Sequence, residues 1–254
     1  MWWKGIIFDL WETIILETPE LSQEWHDRRV KRLTRIIQGL KPIFSFNEIQ
    51  TSYYAVQNDF RKKQRFNQVV TPPEKQIEFI LERLGLVGSQ FPREICDQLL
   101  QDYISVALDP LPLLAPSAKY ILRILCSQEY EIGLVSNTAS TPGSVMREIL
   151  NRLDIRQFFS FMLFSDEVGY PKPHRAIFKE IFNYLADCKP EELVFIGNDY
   201  RADICGAKEA GITTVWLCNN RVDSPKDFRP NILCHDHEIE PLSSLLSVLQ
   251  NLRF

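Results

Sequence analysis

The pattern of apolar residues differs between the first few residues of the chain and the region that follows them. Residues 4–10 (KGIIFDL) form an apolar run with two β-branched isoleucines, a pattern that predicts a buried strand. From about residue 18 to 109 the apolar side chains instead recur at roughly helical intervals, and Ser45 with Glu48 matches a capping box. This second region is therefore predicted to contain about four helices and no strand.

Beyond a proline-rich stretch at 109–112, short apolar runs alternate with amphipathic segments. Strands are predicted at 131–135, 161–164, 193–196 and 213–217, and helices at 117–127, 141–153, 174–185 and 202–210. Such alternation favours a parallel sheet with helices on both faces. The predicted fold is α/β, with a Rossmann-like parallel sheet core (residues 1–16 and 111–254) and an inserted all-helical cap domain (residues 17–110). We expect the cap to cover the carboxyl ends of the strands, where ligands bind in such sheets.

Chemically capable side chains follow the predicted strands. Because the carboxyl ends of parallel strands meet at one edge of a sheet, we expect these side chains to share a pocket. They are Asp9, Ser136 with Asn137, Lys172, Asn198 with Asp199, and Asp203. A carboxylate, a hydroxyl, an ammonium and an acidic pair in one pocket predict an enzyme active site.

The order and spacing of these residues resemble the four motifs of the haloacid dehalogenase superfamily, whose members are mostly phosphatases. Asp9 in IIFDLWET is similar to motif one, and Ser136 in LVSNT is similar to motif two. Lys172 in GYPKPH resembles motif three, and GNDYRAD at 197–203, followed by GA and AG dipeptides, resembles motif four. The resemblance covers nearly the whole predicted core, and the helical block is similar to the family's α-helical cap.

The resemblance implies a hydrolase in which Asp9 is the nucleophile and a covalent aspartyl intermediate divides one difficult step into two. Lys172 would neutralise the charge of a phosphoryl group, while Ser136 and the Asn137 backbone amide would hold a phosphate oxygen. Asn137 and Trp11 are accordingly predicted to contact the substrate.

The resemblance also implies a Mg²⁺ cofactor, a cation that prefers hard oxygen ligands. Asp9, the Trp11 backbone carbonyl and the Asn198 side-chain oxygen are the expected ligands. Asp199 is an alternative to Asn198 as a ligand. Asp203 is expected to lie next to these ligands without binding the ion directly.

Two positions depart from the family's phosphatase pattern. Trp11 stands where those enzymes have a second aspartate, which protonates the leaving oxygen and later activates water. An indole cannot titrate in this range, and acid–base catalysis is typically worth ~10²–10⁴-fold, so aryl or acyl phosphates should be better substrates than alkyl phosphates. Asn198 replaces the first aspartate of motif four, and an uncharged amide oxygen should bind Mg²⁺ more weakly.

Two other functions fit parts of the pattern. A 2-haloacid dehalogenase also lacks the second aspartate, having tyrosine there, and needs neither a proton for the leaving halide nor a metal. Against it, motif four keeps the longer phosphatase spacing, and Asn198-Asp199 suits a cation. A non-catalytic binding protein that keeps the fold is the third alternative, and Trp11 is its main support.

Composition narrows the class of protein further. The 254 residues carry 29 basic and 33 acidic side chains, a balance that argues against a nucleic-acid partner. No apolar run approaches the roughly 18 residues of a membrane span. The six cysteines form no CxxC pair, which is typical of reduced thiols in a cytoplasmic protein, and Cys234, His235 and His237 are interpreted as a polar turn. The expected partner is a small phosphorylated molecule, and no pattern indicates an oligomeric state.

Overall fold

The computed structural model describes residues 3–87, 91–218 and 234–251. Its strands are β1 (Gly5–Phe8), β2 (Ile15–Leu16), β3 (Leu113–Leu114), β4 (Glu131–Ser136), β5 (Phe161–Phe164), β6 (Leu193–Gly197), β7 (Thr213–Leu217) and β8 (His237–Ile239). Six of them form a sheet in the order β5-β4-β1-β6-β7-β8, with every neighbouring pair parallel. Strands β2 and β3 form a separate antiparallel pair.

The α-helices of the described residues fall into two groups along the chain. The first group is α1 (Pro19–Leu40), α2 (Phe46–Lys62), α3 (Pro73–Arg83) and α4 (Arg93–Ile104). The second group is α5 (Ala118–Ser127), α6 (Gly143–Arg152), α7 (Ser165–Val168), α8 (Arg175–Tyr184), α9 (Gly206–Glu209) and α10 (Leu245–Asn251). A π-helical turn at Tyr200–Cys205 leads into α9. No described helix combines the length and hydropathy needed to cross a membrane.

Strand β1 lies at the centre of the sheet because it is apolar along its whole length and buried on both faces. Ile7 is paired with Gly133 of β4 on one side and with Phe195 of β6 on the other. Gly133 is required at its position, since a Cβ there would come within 2.2 Å of the Phe161 ring. The parallel α/β core is therefore confirmed, and the strands beside β1 bring their carboxyl ends to the same edge.

The chain divides into two compact units, and the helical one is larger than predicted. One unit comprises Met1–Glu17, Leu113–Asn137 and Leu150–Phe254, and contains the sheet. The other comprises Thr18–Pro112 and also Thr138–Ile149, whereas the sequence assigned only residues 17–110 to it. The predicted capping box at the start of α2 is present, since Ser45 and Glu48 exchange hydrogen bonds with each other's backbone amides.

A buried polar cluster lies inside the helical unit. The Tyr103 hydroxyl accepts a hydrogen bond from Gln57 Nε2 at 2.6 Å and donates one to Gln76 Oε1 at 2.8 Å. Ser140, from the added segment, has its hydroxyl 3.0 Å from Gln57 Oε1 and 2.9 Å from Gln76 Oε1. All four side chains are buried, so the segment after Asn137 is built into the interior of this unit.

Two expectations about the C-terminal region are wrong. The predicted polar turn at Cys234, His235 and His237 instead leads into strand β8, which pairs with β7 at the sheet edge. The cysteines are also not all reduced, because Cys205 and Cys234 form a disulfide with Cα atoms 5.0 Å apart. Parallel pairing of β8 brings Cys234 beside the Tyr200–Cys205 turn, which no spacing in the sequence indicates.

Candidate active site

Asp9 directly follows β1, at the point where the central strand reaches the edge of the sheet. Its backbone amide donates to the Ile196 carbonyl at 2.8 Å, which continues the ladder between β1 and β6 by one residue. The side chain is buried, with 6% of its surface exposed. A carboxylate in such a position is partly desolvated and has a fixed direction, as a carboxylate nucleophile requires.

The side-chain ammonium of Lys172 contacts several oxygen atoms of the site. Its Nζ donates to Asp9 Oδ1 at 2.5 Å and to the Val135 carbonyl at 2.8 Å, and it lies 2.7 Å from Asp203 Oδ1. The ammonium therefore has three oxygen atoms within 3 Å, two of them as hydrogen-bond acceptors. Burial by itself lowers the pKa of Lys172, but the negative charges of Asp203 and Asp9 outweigh burial and raise the pKa above its ordinary value. The lysine is thus held in its charged form beside Asp9.

Asp203 lies with the lysine, deep in the site. Its Oδ2 accepts a hydrogen bond from the Asp199 backbone amide at 2.9 Å. Gly197 makes room for it, because a Cβ at that position would lie 2.4–2.5 Å from the Asp203 side chain. Burial, and then the negative charge of Asp9, raise the pKa of Asp203. Asp203, predicted behind the metal ligands, thus has Lys172 as its charged partner.

Thr13 links the carboxylate of motif one to the amide of motif four. Its hydroxyl oxygen lies 3.1 Å from Asp9 Oδ2 and 3.4 Å from Asn198 Oδ1, and the side chain is fully buried. The sequence prediction gave Thr13 no role, although it belongs to motif one. The signal was its position four residues after Asp9, where the chain turns back on itself.

Asn198 and Asp199 point in different directions. The Asn198 side-chain oxygen faces Thr13, and its backbone carbonyl accepts a hydrogen bond from Trp216 Nε1 at 3.0 Å. Asp199 Oδ1 instead accepts from the backbone amides of Arg201 and Ala202, which caps the following helical turn. Of the two residues, Asn198 is therefore the one whose side-chain oxygen shares a neighbour with Asp9.

Ser136 and Asn137 end strand β4, next to β1. Ser136 is fully buried, and its hydroxyl has a long contact of 3.3 Å with the Asn137 carbonyl. The Asn137 side chain binds the main chain of Lys172. A backbone role in substrate binding was predicted for Asn137, and its side chain has this second role, which the sequence did not indicate.

Trp11 is half-buried and forms a β-bridge with Ile15 in the turn after Asp9. The next residue, Glu12, has a left-handed backbone conformation with φ of 58°, and its carboxylate accepts a hydrogen bond from the Glu17 amide at 2.9 Å. Glu12 is therefore engaged in holding this turn. Neither residue supplies a carboxylic acid at the position of the family's second aspartate.

The donor set at the edge of the sheet fits Mg²⁺. The buried carboxyl groups of Asp9 and Asp203 both lie at the ammonium of Lys172, and burial together with the charge of Asp9 raises the pKa of Asp203 to about 8. Across residues 3–87, 91–218 and 234–251, no group of three or more His, Cys, Asp or Glu side chains is arranged for a metal ion. The fit rests instead on a carboxylate oxygen of Asp9 and the side-chain amide oxygen of Asn198, two hard ligands that both lie next to the Thr13 hydroxyl.

A parallel α/β sheet whose central strand ends in a buried carboxylate paired with lysine defines a class of hydrolase. The family description that matches residues 3–211 is "haloacid dehalogenase-like hydrolase". The chain belongs to this family.

Two of the curated relatives that the chain matches have the same name, glyceraldehyde 3-phosphate phosphatase. The chain is 26% identical over 253 residues to a glyceraldehyde 3-phosphate phosphatase of Methanopyrus kandleri, covering 98% of both chains. It is 37% identical over 136 residues to the enzyme of the same name from Pyrococcus furiosus, covering 53% of this chain and 54% of that one. The chain thus spans about half the length of several of the curated relatives that it matches.

Among solved structures, a 2-haloacid dehalogenase from Pseudomonas syringae superposes with a TM-score of 0.67 at 20% identity. The superposition covers 98% of this chain and 99% of that one. At this level of identity the similarity establishes the fold alone, so it does not select between phosphatase and dehalogenase.

Proposed function

We propose that the protein is a Mg²⁺-dependent phosphatase of small phosphorylated molecules that acts through Asp9. The central support is the buried contact between Lys172 and Asp9 at 2.5 Å, with the oxygen of Asn198 close by on the other side of Thr13. This arrangement combines a nucleophile with positive charge where a phosphoryl group would carry negative charge. The names of the phosphatase relatives agree with a small phosphorylated substrate.

In the first half-reaction an oxygen of Asp9 bonds to phosphorus while the bond to the leaving oxygen breaks and its electrons depart with that oxygen. Lys172 stays charged and offsets the negative charge of the transferring group. In the second half-reaction water attacks phosphorus, inorganic phosphate leaves, and the Asp9 carboxylate is regenerated. Each half-reaction requires a proton transfer, to the leaving oxygen or from the water.

Trp11 limits which leaving groups suit this site. Because residue 11 has no carboxyl group and the Glu12 side chain is bound to the Glu17 amide, no acid of motif one protonates the leaving oxygen. Aryl and acyl phosphates, whose leaving groups are stable as anions, are therefore the substrates that the site favours.

The residues that would hold Mg²⁺ are Asp9, Asn198 and the Trp11 backbone carbonyl. When bound, the cation would supply further positive charge at the phosphoryl group. Asp203 would act through Lys172, by keeping its ammonium charged and directed at Asp9.

The test is hydrolysis of p-nitrophenyl phosphate and glyceraldehyde 3-phosphate with added Mg²⁺ and with EDTA. We expect turnover that EDTA removes and that Asp9→Asn abolishes, while Asp187→Asn, at an exposed aspartate, leaves it unchanged. Halide release from 2-haloacids without phosphatase activity would favour the dehalogenase alternative. No turnover of either substrate class would favour a binding protein.

A further inference from the structure

We infer that Asn137 is a positioning residue that fixes Lys172 in the site by binding its main chain. The hydrogen-bond geometry stands by itself, and the kinetic consequence rests on the proposed phosphatase function. Asn137 Oδ1 accepts from the Lys172 backbone amide at 2.7 Å, and Asn137 Nδ2 donates to the Lys172 carbonyl at 3.0 Å. One primary amide thus satisfies both polar groups of the lysine backbone.

The sequence around the lysine explains why such a clamp is needed. Lys172 stands between Pro171 and Pro173, and proline has no backbone N–H. Within these three residues the Lys172 amide is therefore the single main-chain donor, so the segment cannot be held by a strand ladder. A side chain that both donates and accepts at fixed spacing is the group that can hold it, and asparagine is the shortest such side chain.

Residues at the end of strand β4 bind both the side-chain ammonium and the backbone of Lys172. Val135 accepts from the Lys172 ammonium at 2.8 Å, and Asn137 holds the Lys172 backbone. Ser136 lies between these two contacts in the chain. The same strand end thereby fixes the position of Lys172 relative to Ser136 and directs the Lys172 ammonium towards Asp9.

Two substitutions remove the clamp in different ways. Asn137→Ala removes both hydrogen bonds, and Asn137→Asp keeps the side-chain size but replaces the donor by an oxygen that repels the Lys172 carbonyl. With p-nitrophenyl phosphate we expect kcat to fall at least about tenfold in both variants, while KM stays within about threefold, because the lysine acts mainly in the transition state. Asn183→Ala, at an exposed asparagine of α8, should leave both constants unchanged.

An independent measurement follows the lysine itself. Only 2% of the Lys172 side chain is exposed, so acetic anhydride should acylate it slowly in the unaltered protein. Peptide mass spectrometry should find faster acylation of Lys172 in both Asn137 variants, with the exposed reference Lys208 of α9 unchanged. This readout needs no turnover and therefore separates failure of the clamp from failure of the phosphatase proposal.

Unchanged acylation of Lys172 together with an unchanged kcat in Asn137→Asp would overturn the inference. If Asn137→Ala does not fold, the isosteric variant decides the question, with its near-ultraviolet circular dichroism as the check on folding. If the unaltered protein hydrolyses no phosphate ester, the phosphatase proposal fails and acylation alone decides the role of Asn137.

Discussion

Single residues determine the chemistry of the pocket, and Trp11 is the one that most alters it. The neighbouring Glu12 does not replace the missing aspartate, because its carboxylate is bound to the Glu17 backbone amide. Asp9, the proposed nucleophile, is in contact with Lys172, so in the proposed function the expected defect is confined to proton transfer. The pocket should therefore bind alkyl and aryl phosphates but turn over the aryl esters faster.

Trp11→Asp should restore the missing acid. We expect kcat for an alkyl phosphate such as glycerol 3-phosphate to rise by about 10-fold or more, and kcat for p-nitrophenyl phosphate to change less, because aryl leaving groups need less protonation. Steady-state kinetics of both substrates measure this difference, with Trp11→Phe as the matched control. Equal changes for the two substrates would contradict the missing-acid explanation.

His26, in the helical unit, should make the stability depend on pH. Burial, and then the positive charges of Arg61 and Arg29, lower the pKa of His26 to about 4. Arg61 Nη2 lies 3.0 Å from His26 Nε2, and because a guanidinium only donates, that nitrogen is unprotonated. The histidine is therefore neutral in the folded protein down to acidic pH.

The direction of the pH effect follows from the unfolded chain, in which histidine has a pKa of about 6.5. As pH falls from about 6.5 towards 4, the unfolded chain gains a proton that the folded protein does not, so the free energy of unfolding decreases. We expect a loss of about 1–2 kcal/mol after solvent screening. Urea unfolding at several pH values measures it against His26→Gln, and equal pH dependence in both proteins would contradict the assignment.

Among the secondary-structure elements, the strands made of short apolar runs could be predicted from the sequence, whereas a strand that begins with polar residues could not. Strands β1, β5 and β7 are where the sequence indicated them, because each is a short buried run. Strand β8 has three residues and begins His237-Glu238, so its partner β7 and not its own pattern makes it a strand. The predicted helix at 202–210 begins earlier, as the turn that Asp199 caps.

In the site, too, the sequence pattern identifies candidate residues but not all of the contacts between them. Motif spacing was sufficient to bring Asp9 and Lys172 together as candidates, and they are in contact. The contacts of Thr13 with Asp9 and Asn198, and the clamp of Asn137 on Lys172, depend on how loops fold back after the strands. No spacing along the chain encodes such a contact.

The disulfide should stabilise the end of the sheet that carries the Tyr200–Cys205 turn. It joins Cys205 to Cys234, 29 residues apart, and closes a loop whose freedom in the unfolded chain is thereby reduced. We expect dithiothreitol, or Cys234→Ser, to lower the free energy of unfolding by about 2–4 kcal/mol. Denaturant unfolding with and without reductant measures this, with Cys126→Ser, at an exposed cysteine, as the control.

Peptide mapping without reduction provides the second test of the disulfide. A cross-linked pair of peptides containing Cys205 and Cys234 is expected. Ready alkylation of both cysteines in the folded, unreduced protein would contradict the pairing.

The whole molecule consists of two compact units. The spacing of apolar residues along the chain could predict their boundaries only in part. The helical spacing from residue 18 onward located the larger part of the helical unit. The assignment of Thr138–Ile149 to that unit could not be predicted, because this segment follows a core strand and its pattern is that of an ordinary crossover helix. Buried polar contacts of Ser140 contribute to holding the segment in this unit.

Tyr103→Phe tests the polar cluster that incorporates this segment. Loss of the hydroxyl removes its hydrogen bonds with Gln57 and Gln76 and should lower the stability of the helical unit by about 1–3 kcal/mol. Hydrogen exchange should show faster opening of α2, α3 and α4, and Tyr54→Phe on the same helix as Gln57 is the control. Exchange rates in these helices that match those of the unaltered protein would rule out the cluster as a stabilising element.

The proposed function requires Asp9 to become covalently phosphorylated during turnover. The direct measurement is acid quenching of the protein during hydrolysis of p-nitrophenyl phosphate, followed by borohydride reduction and peptide mass spectrometry. Reduction of an aspartyl phosphate converts that side chain to homoserine, and we expect this conversion at Asp9 in the presence of Mg²⁺. Sustained turnover with Asp9 unmodified, or conversion of a different carboxylate, would contradict it.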